Sequence, residues 1–289
     1  MTERPRAPGA SGTLYLVGTP IGHRDDLSPR ARAVLARVPV VACEDTRTAR
    51  RLFHWLDLPA PAMVAYHDHN AVAAARTVMA RLLAGDDVAL VSEAGMPALQ
   101  DPGFRLIVAA RAAGVPVVPV PGPSAFALAL AASGLPTDRF AFLGFAPRRG
   151  RAGWWADALA RPETVVVYEA PGRVAVTLES IAAHDPARPV CLARELTKIH
   201  EEFVTGSVEA VAAELAGRGE PLKGECALVV GGAPAPAAGR SVAWPGALAK
   251  LRELPAGRAL SPRALADVLA CAYPTERRAI YRAALAEEE

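Results

Sequence analysis

From Thr13 onward, short apolar runs rich in β-branched residues alternate with longer stretches of helical pattern. This alternation confines the chain to parallel α/β architecture with crossover helices. Residues 13–18 read as the first strand. A helix starts at Ser28, whose hydroxyl can cap free amides while Pro29 takes the first helical position, where its missing N–H costs nothing. Further strands are expected at 38–43, 62–66, 87–91 and 117–120, with helices near 48–56, 71–84 and 104–113. After Pro121-Gly122-Pro123 a second series begins with a helix at 124–132. Its strands are expected at 140–143, 164–169, 190–195, 201–205 and 226–230, and its helices at 150–160, 173–183 and 208–216, the last capped by Ser207.

The 289 residues suffice for two domains with cores of their own. The expected division is a disordered lead-in at 1–12, an N-terminal α/β domain at 13–121 with a doubly wound, mostly parallel sheet, and a C-terminal mixed α/β domain at 122–231. A Gly, Ala and Pro stretch makes 232–247 a linker, and 248–289 reads as a helical tail. In that tail Ser261-Pro262 repeats the cap-and-proline start, and Leu265, Val268, Leu269, Ile280 and Leu285 form an interrupted apolar stripe.

No apolar run approaches the ~20 residues of a membrane helix, and the start lacks the apolar segment of a secretion signal, so a soluble, cytoplasmic protein is expected. Cys43, Cys191, Cys226 and Cys271 form no CxxC pair, and the first three sit in strand-like runs, as small buried hydrophobes do. A net charge of +2 gives no general case for nucleic acid, so any RNA contact must come from local patches, and no DNA binding is expected.

Ligands of open α/β sheets sit beyond the carboxyl ends of the strands. Four loops stand out there: Gly18-Thr19-Pro20-Ile21-Gly22; Ser92-Glu93-Ala94-Gly95-Met96-Pro97 leading to Asp101-Pro102-Gly103; Pro121-Gly122-Pro123-Ser124; and the charged run Arg194-Glu195-Leu196-Thr197-Lys198 with His200, Glu201 and Glu202. Each has a plain reading beside the functional one: a tight turn, solvated polarity, a rigid hinge with a helix cap, and a charged surface. Only three lysines occur; Lys198 stands in the last of these loops, and Lys223-Gly224-Glu225, before the last strand, reads as a hairpin or a ligand contact. His67 and His69 in the run Tyr66–Asn70 lack third and fourth ligands at metal spacing, so no metal is expected. A GxSxG elbow and a Walker loop are absent.

The order of these blocks is more informative than any one of them. GTPIGHRDDLS, CEDTR, YHDHN, VSEAGMPALQDPG, VPGPSA, GLPTDRF, VVYEAPGRV, ARELTKIHEEFVTG and KGECALVV follow one another. In sequence they resemble the motifs of the ribosomal RNA small subunit methyltransferase I family, within the tetrapyrrole methylase superfamily. The resemblance covers about residues 13–231 and implies a two-domain tetrapyrrole-methylase-like fold and a homodimer. It also implies transfer of a methyl group from S-adenosylmethionine to the ribose 2'-hydroxyl of a cytidine in 16S rRNA of the small ribosomal subunit, in its decoding region. The tail resembles that family's small helical appendage.

Carried over block by block, the resemblance places the cofactor against Pro20, Ser92, Glu93, Ala94, Gly95, Met96, Ser124, Ala125, Tyr168, Glu169 and Ala227, near the strand end at Glu195. The family pattern has Asp and Thr where this chain has Glu93 and Met96, Asn at His23 and His at Gly172. Methyl transfer to a ribose hydroxyl needs an in-line acceptor and a nearby group that takes the proton or steadies the forming alkoxide. Lys198, Lys223, Glu93, Glu195 and Asp101 are the candidates. For RNA, Arg148, Arg149 and Arg151 beside Trp154-Trp155 combine charge with stacking surface, and Arg47, Arg50 and Arg51 add a helical patch. The alternatives are a small-molecule acceptor such as a tetrapyrrole on the same fold, and a degenerate protein that binds nucleoside or RNA without catalysis.

Overall fold

A computed structural model describes residues 10–233, 243–254, 260–270, 273 and 276–286. Residues 1–9 of the expected lead-in, residues 234–242 of the linker and Cys271 lie outside the described residues. Internal contacts divide the chain into two units, Met1–Ala233 and Pro234–Glu289.

The first unit carries two five-stranded sheets. The first consists of β1 (Leu14–Val17), β2 (Val40–Cys43), β3 (Ala62–Ala65), β4 (Val88–Val91) and β5 (Val117–Val120), in the order β3-β2-β4-β1-β5. All its pairings are parallel. β2 and β4 are buried along their whole length, because inner strands of a parallel sheet are covered on both faces and need unbroken apolar runs. Pro119, which has no N–H for a ladder, falls on the edge strand β5.

Helices α1 (Pro29–Arg37) and α2 (Thr46–Trp55) cover one face through a core containing Val34, Leu35 and Phe53. α3 (Ala71–Leu83) and α4 (Phe104–Ala112) cover the other through Val78, Leu82 and Leu106. Ser28 caps α1 as expected, its Oγ accepting from the Ala31 amide at 3.1 Å. α2 starts two residues before the expected position 48, because the Asp45 carboxylate accepts from the Arg47 amide at 2.7 Å and supplies an N-cap.

The chain then passes through α5 (Ala125–Ala132) into β6 (Phe140–Phe145), β7 (Thr164–Glu169), β8 (Pro189–Arg194), β9 (Glu202–Ser207) and β10 (Cys226–Val230). Their order is β6-β7-β10-β8-β9, with β6 and β7 parallel and the other pairings antiparallel. The first sheet is parallel as expected, and the second, mixed in strand direction, forms the expected C-terminal α/β part. Successive residues of a strand face opposite sides. Val165 and Val167 of β7 therefore enter the core under α6 (Arg151–Leu159), α7 (Val174–Ala182) and α8 (Val208–Gly217). Val166 and Tyr168 enter the opposite core with Ala129, Leu130 and Ile21. Ile21 comes from the loop after β1, so the two sheets share packing.

Three expectations need correction. Trp155 is not stacking surface: it is fully buried among Leu178, Ile181 and Val167, and Trp154 is partly buried edge-on against it at 4.9 Å. The cause is helical spacing, since Trp155, Ala158 and Leu159 form the inward stripe of α6. In the second unit, α9 (Ala243–Glu253), α10 (Pro262–Ala270) and α11 (Arg277–Ala286) pack around Leu248, Leu265, Ala266, Leu269, Ile280 and Ala284. Val268 and Leu285 are exposed, each one residue off that stripe. α9 begins inside the span read as linker.

Candidate active site

β1 lies between β4 and β5 in the parallel sheet, so the loops leaving these three strands emerge side by side. Thr19 and Gly95 exchange backbone hydrogen bonds of 2.9 and 3.0 Å. Gly18 and Gly122 touch: a Cβ on Gly122 would lie 2.7 Å from the Gly18 backbone, and one on Gly18 would meet Met96 Sδ at the same distance. Only glycine permits that approach. The segments around Pro20, Glu93 and Ser124 therefore meet in one place.

The loop after β1 also reaches the second sheet, where the His23 amide donates to Thr197 Oγ1 at 3.0 Å. On the same side Tyr168 Oη accepts from the Phe126 amide at 3.1 Å. Ser124 was expected to cap α5, yet its side chain makes no cap bond. The Tyr168 hydroxyl serves an amide of that first turn instead.

A cavity of about 380 Å³ lies where these loops face the ends of β7, β8 and β10, within the roughly 300–1,000 Å³ typical of small-molecule sites. Of the residues read from the sequence, Glu93, Ala94, Gly95, Met96, Asp101, Ser124, Ala125, Tyr168, Glu169 and Ala227 line it. Pro20 and Ser92 are buried and do not line it; Ser92 Oγ lies 3.2 and 3.1 Å from the carbonyl oxygens of Ala94 and Gly95. Lys198, Glu195 and Lys223 do not line it either.

Leu196 and Glu225, which fall in segments singled out from the sequence, also line it, whereas sequence reasoning missed Glu44, Leu99, Gln100 and Phe145 on its walls. Glu44 was findable, because it follows a parallel strand as Glu93 does. Phe145 was not, since it lies beyond an irregularity in the β6 register that includes Gly144 at φ +69°.

Two kinds of carboxylate face this hollow. Glu44, Glu93 and Asp101 come from the first sheet's loops, and no ion-pair partner is found for them among the described residues. Burial, the Glu44 charge and the Glu93 charge push the Asp101 carboxyl up to about 6, against a hydrogen bond from Ser92. Burial and then the charges of Glu93 and Asp68 raise Glu44 as well.

On the second sheet every such group is paired. Lys198 Nζ lies 2.8 Å from Glu195 Oε1 and 3.2 Å from Glu225 Oε2, and the Glu225 amide donates to Glu195 Oε1 at 2.8 Å. The bond from Lys198 holds Glu195 below the usual carboxylate range. Burial works against the charge of Lys198, but Glu195 and Glu225 outweigh it and raise its pKa. Glu169 has a side chain with no exposed surface, held by Arg173 at 2.6 Å and Arg151 at 3.2 Å, so only its backbone faces the hollow. Among the described residues the lining holds five carboxylate residues, Glu44, Glu93, Asp101, Glu169 and Glu225, and no Lys, Arg or His.

The arginines expected to meet RNA separate into two groups. Arg148, Arg149 and Arg50 are exposed, as is Arg47, which pairs with Asp45 at 2.6 Å. Arg151 turns inward, to Glu169, Thr177 and the Pro147 carbonyl. Lys223 is exposed, and its carbonyl accepts from Arg194 at 3.3 Å. His67 and His69 meet edge-on with ring centroids 6.0 Å apart, in a turn where the Asn70 side chain accepts from the His67 amide. Among the described residues no group of three or more His, Cys, Asp or Glu is placed to hold a metal, and no helix is long and apolar enough to cross a membrane. Burial pushes the thiols of Cys43, Cys191 and Cys226 up to about 11.

The class of protein built on these two sheets is given by the family model of the Tetrapyrrole (Corrin/Porphyrin) Methylases, which matches residues 13–212. Among solved structures, the fold is similar to uroporphyrin-III C-methyl transferase from Thermus thermophilus complexed with S-adenyl homocysteine. That likeness has a TM-score of 0.53 and 25% identity, and covers 76% of this chain and 97% of that one.

In sequence the chain is 46% identical over 226 residues to ribosomal RNA small subunit methyltransferase I of Micromonospora olivasterospora, covering 78% of this chain and 72% of that protein. The same-named protein of Xylella fastidiosa is 43% identical over 225 residues, covering 77% and 82%. The chain belongs to the ribosomal RNA small subunit methyltransferase I family.

Proposed function

We propose that this protein transfers a methyl group from S-adenosylmethionine to the 2'-hydroxyl of a cytidine in 16S rRNA of the small ribosomal subunit, acting as a cytoplasmic homodimer. The observation that carries the reading is the hollow itself: loops remote in sequence close one cavity, and its charged lining is entirely acidic. A nucleoside carrying a sulfonium and an ammonium suits such walls, with ribose hydroxyls to donate to the carboxylates. Ile21, Met96, Leu99, Phe145 and Leu196 supply apolar surface for a base. The residues present therefore fit the donor.

When bound, the donor supplies an activated methyl, whose carbon bonds to the acceptor oxygen as the carbon–sulfur bond breaks and its electron pair stays on sulfur. The protein's part is to hold the acceptor in line and to take its proton. Among the candidates, Asp101 suits the second task. It lines the hollow, and a carboxyl near 6 is ionised at neutral pH yet more basic than an ordinary aspartate. Lys198 and Glu195 neutralise one another outside it. Arg148, Arg149, Arg47 and Arg50 are the groups proposed to meet RNA phosphates.

The test is methylation by the purified protein of small subunits that lack the modification, followed by mapping of ribose methylation in 16S rRNA. A methyl on one cytidine ribose is expected. Methylation of a precorrin with none in RNA would overturn the acceptor assignment, and donor binding without transfer to either would favour a non-catalytic binding protein.

A further inference from the structure

The sequence makes Arg151 a partner for RNA beside Arg148 and Arg149, but its guanidinium is bound inside the molecule. Its Nη2 donates to Glu169 Oε2 at 3.2 Å and to Thr177 Oγ1, and its Nη1 donates to the Pro147 carbonyl at 3.2 Å. Thr177 Oγ1 donates onward to the same Glu169 oxygen at 2.6 Å. The other carboxylate oxygen takes Arg173 at 2.6 Å and the Ala170 amide at 2.9 Å. Thr177 and Glu169 are 0% and 2% exposed.

Strand parity explains what this clasp does. Glu169 ends β7 with its side chain on the α6 and α7 face, while its neighbour Tyr168 faces the hollow. Fixing the carboxylate from behind sets the backbone that presents Tyr168, Ala170 and Pro171 as a wall.

The geometry points to Arg151 and Thr177 as positioning residues for the donor-binding wall, acting through Glu169, and not to Arg151 as an RNA contact. A buried carboxylate is tolerated only while its hydrogen bonds are complete. Loss of one donor should let the end of β7 shift, and with it the Tyr168 hydroxyl that holds the start of α5. The inference rests on the donor reading above.

Titration calorimetry with S-adenosylmethionine and filter binding of a 16S rRNA fragment across a salt series test it. The proteins are wild type, Arg151→Gln, Arg151→Lys, Thr177→Val and the double variant Arg148→Ala/Arg149→Ala. Arg151→Gln and Thr177→Val are expected to weaken donor binding about tenfold while leaving the RNA affinity and its salt slope as in wild type. Arg151→Lys, which keeps one charged donor, should recover part of the loss. The double variant should do the reverse, lowering RNA affinity and the salt slope with unchanged donor binding.

A reduced salt slope in Arg151→Gln with unaltered donor affinity would overturn the inference. If Arg151→Gln does not fold, Thr177→Val decides alone: a wild-type melting temperature and wild-type donor affinity would overturn it. Failure of the wild-type protein to bind the donor would instead refute the donor reading.

Discussion

The two walls of the hollow are built from the same residue type and treat it in opposite ways. On the first sheet's side Glu44, Glu93 and Asp101 face the cavity with no ion-pair partner among the described residues, and Asp101 and Glu44 hold their protons more tightly than free carboxyls do. On the second sheet's side Glu169 is bound by Arg151 and Arg173, and Lys198 ties Glu225 to Glu195, which lies just outside the hollow. Unpaired acids are left to interact with a ligand, and paired acids hold a shape. On the proposed function, the first wall supplies proton and charge chemistry and the second supplies geometry.

The contrast is open to attack first at Asp101. Replacing it by Asn should lower single-turnover methylation by roughly 10²–10⁴-fold with donor affinity nearly preserved. In the wild type the rate should rise with pH through an apparent pKa of about 6, because the base must be ionised. A rate within a few-fold of wild type for Asp101→Asn would move the chemistry elsewhere.

Gly122→Ala comes next in size. Its Cβ would press into the Gly18 backbone at 2.7 Å, and overpacking of this kind costs about 1–3 kcal/mol. Thermal melting should show the loss, and calorimetry a weaker donor complex. Equal values for mutant and wild type would mean that the loops need not touch.

Stability against pH should separate the walls by sign. A raised carboxyl pKa means the folded state keeps a proton the unfolded chain has released, so Asp101 costs stability as pH rises from the unfolded carboxylate value near 3.9 to about 6. Glu195 is lowered, so its contribution is present above the unfolded value and is lost as pH falls through the folded one. Asp101→Asn should therefore flatten a decline between pH 4 and 6 in denaturant titrations, while Glu195→Gln removes part of an acid-side loss. Slopes of the same sign for both would erase the distinction.

The smallest effect is expected at Lys198→Ala. Partly exposed ion pairs contribute about 0.2–1 kcal/mol, and Lys198 lies outside the hollow. Its methylation rate at saturating donor should stay close to wild type. A collapse of that rate would place Lys198 in the chemistry.

The sequence by itself determined the kinds and order of elements, since strand and helix periods are local properties. It also determined which loops leave the strand ends, which made Glu93, Asp101 and Ser124 candidates, whereas Tyr168 came only from the family resemblance. Only the tertiary structure decided how charges were shared among them. Asp101 and Glu195 are both acids in strand-end loops, and nothing local distinguishes the one that Lys198 neutralises from the one left facing a cavity. Arg151 follows Arg148 and Arg149 in an evidently basic run, yet a carboxylate 18 residues further on draws it inside. Trp155 likewise became core when α6 settled on the second sheet. Pairing and burial are properties of surfaces brought together from distant parts of the chain, so their outcome is written in the fold and not in any one segment.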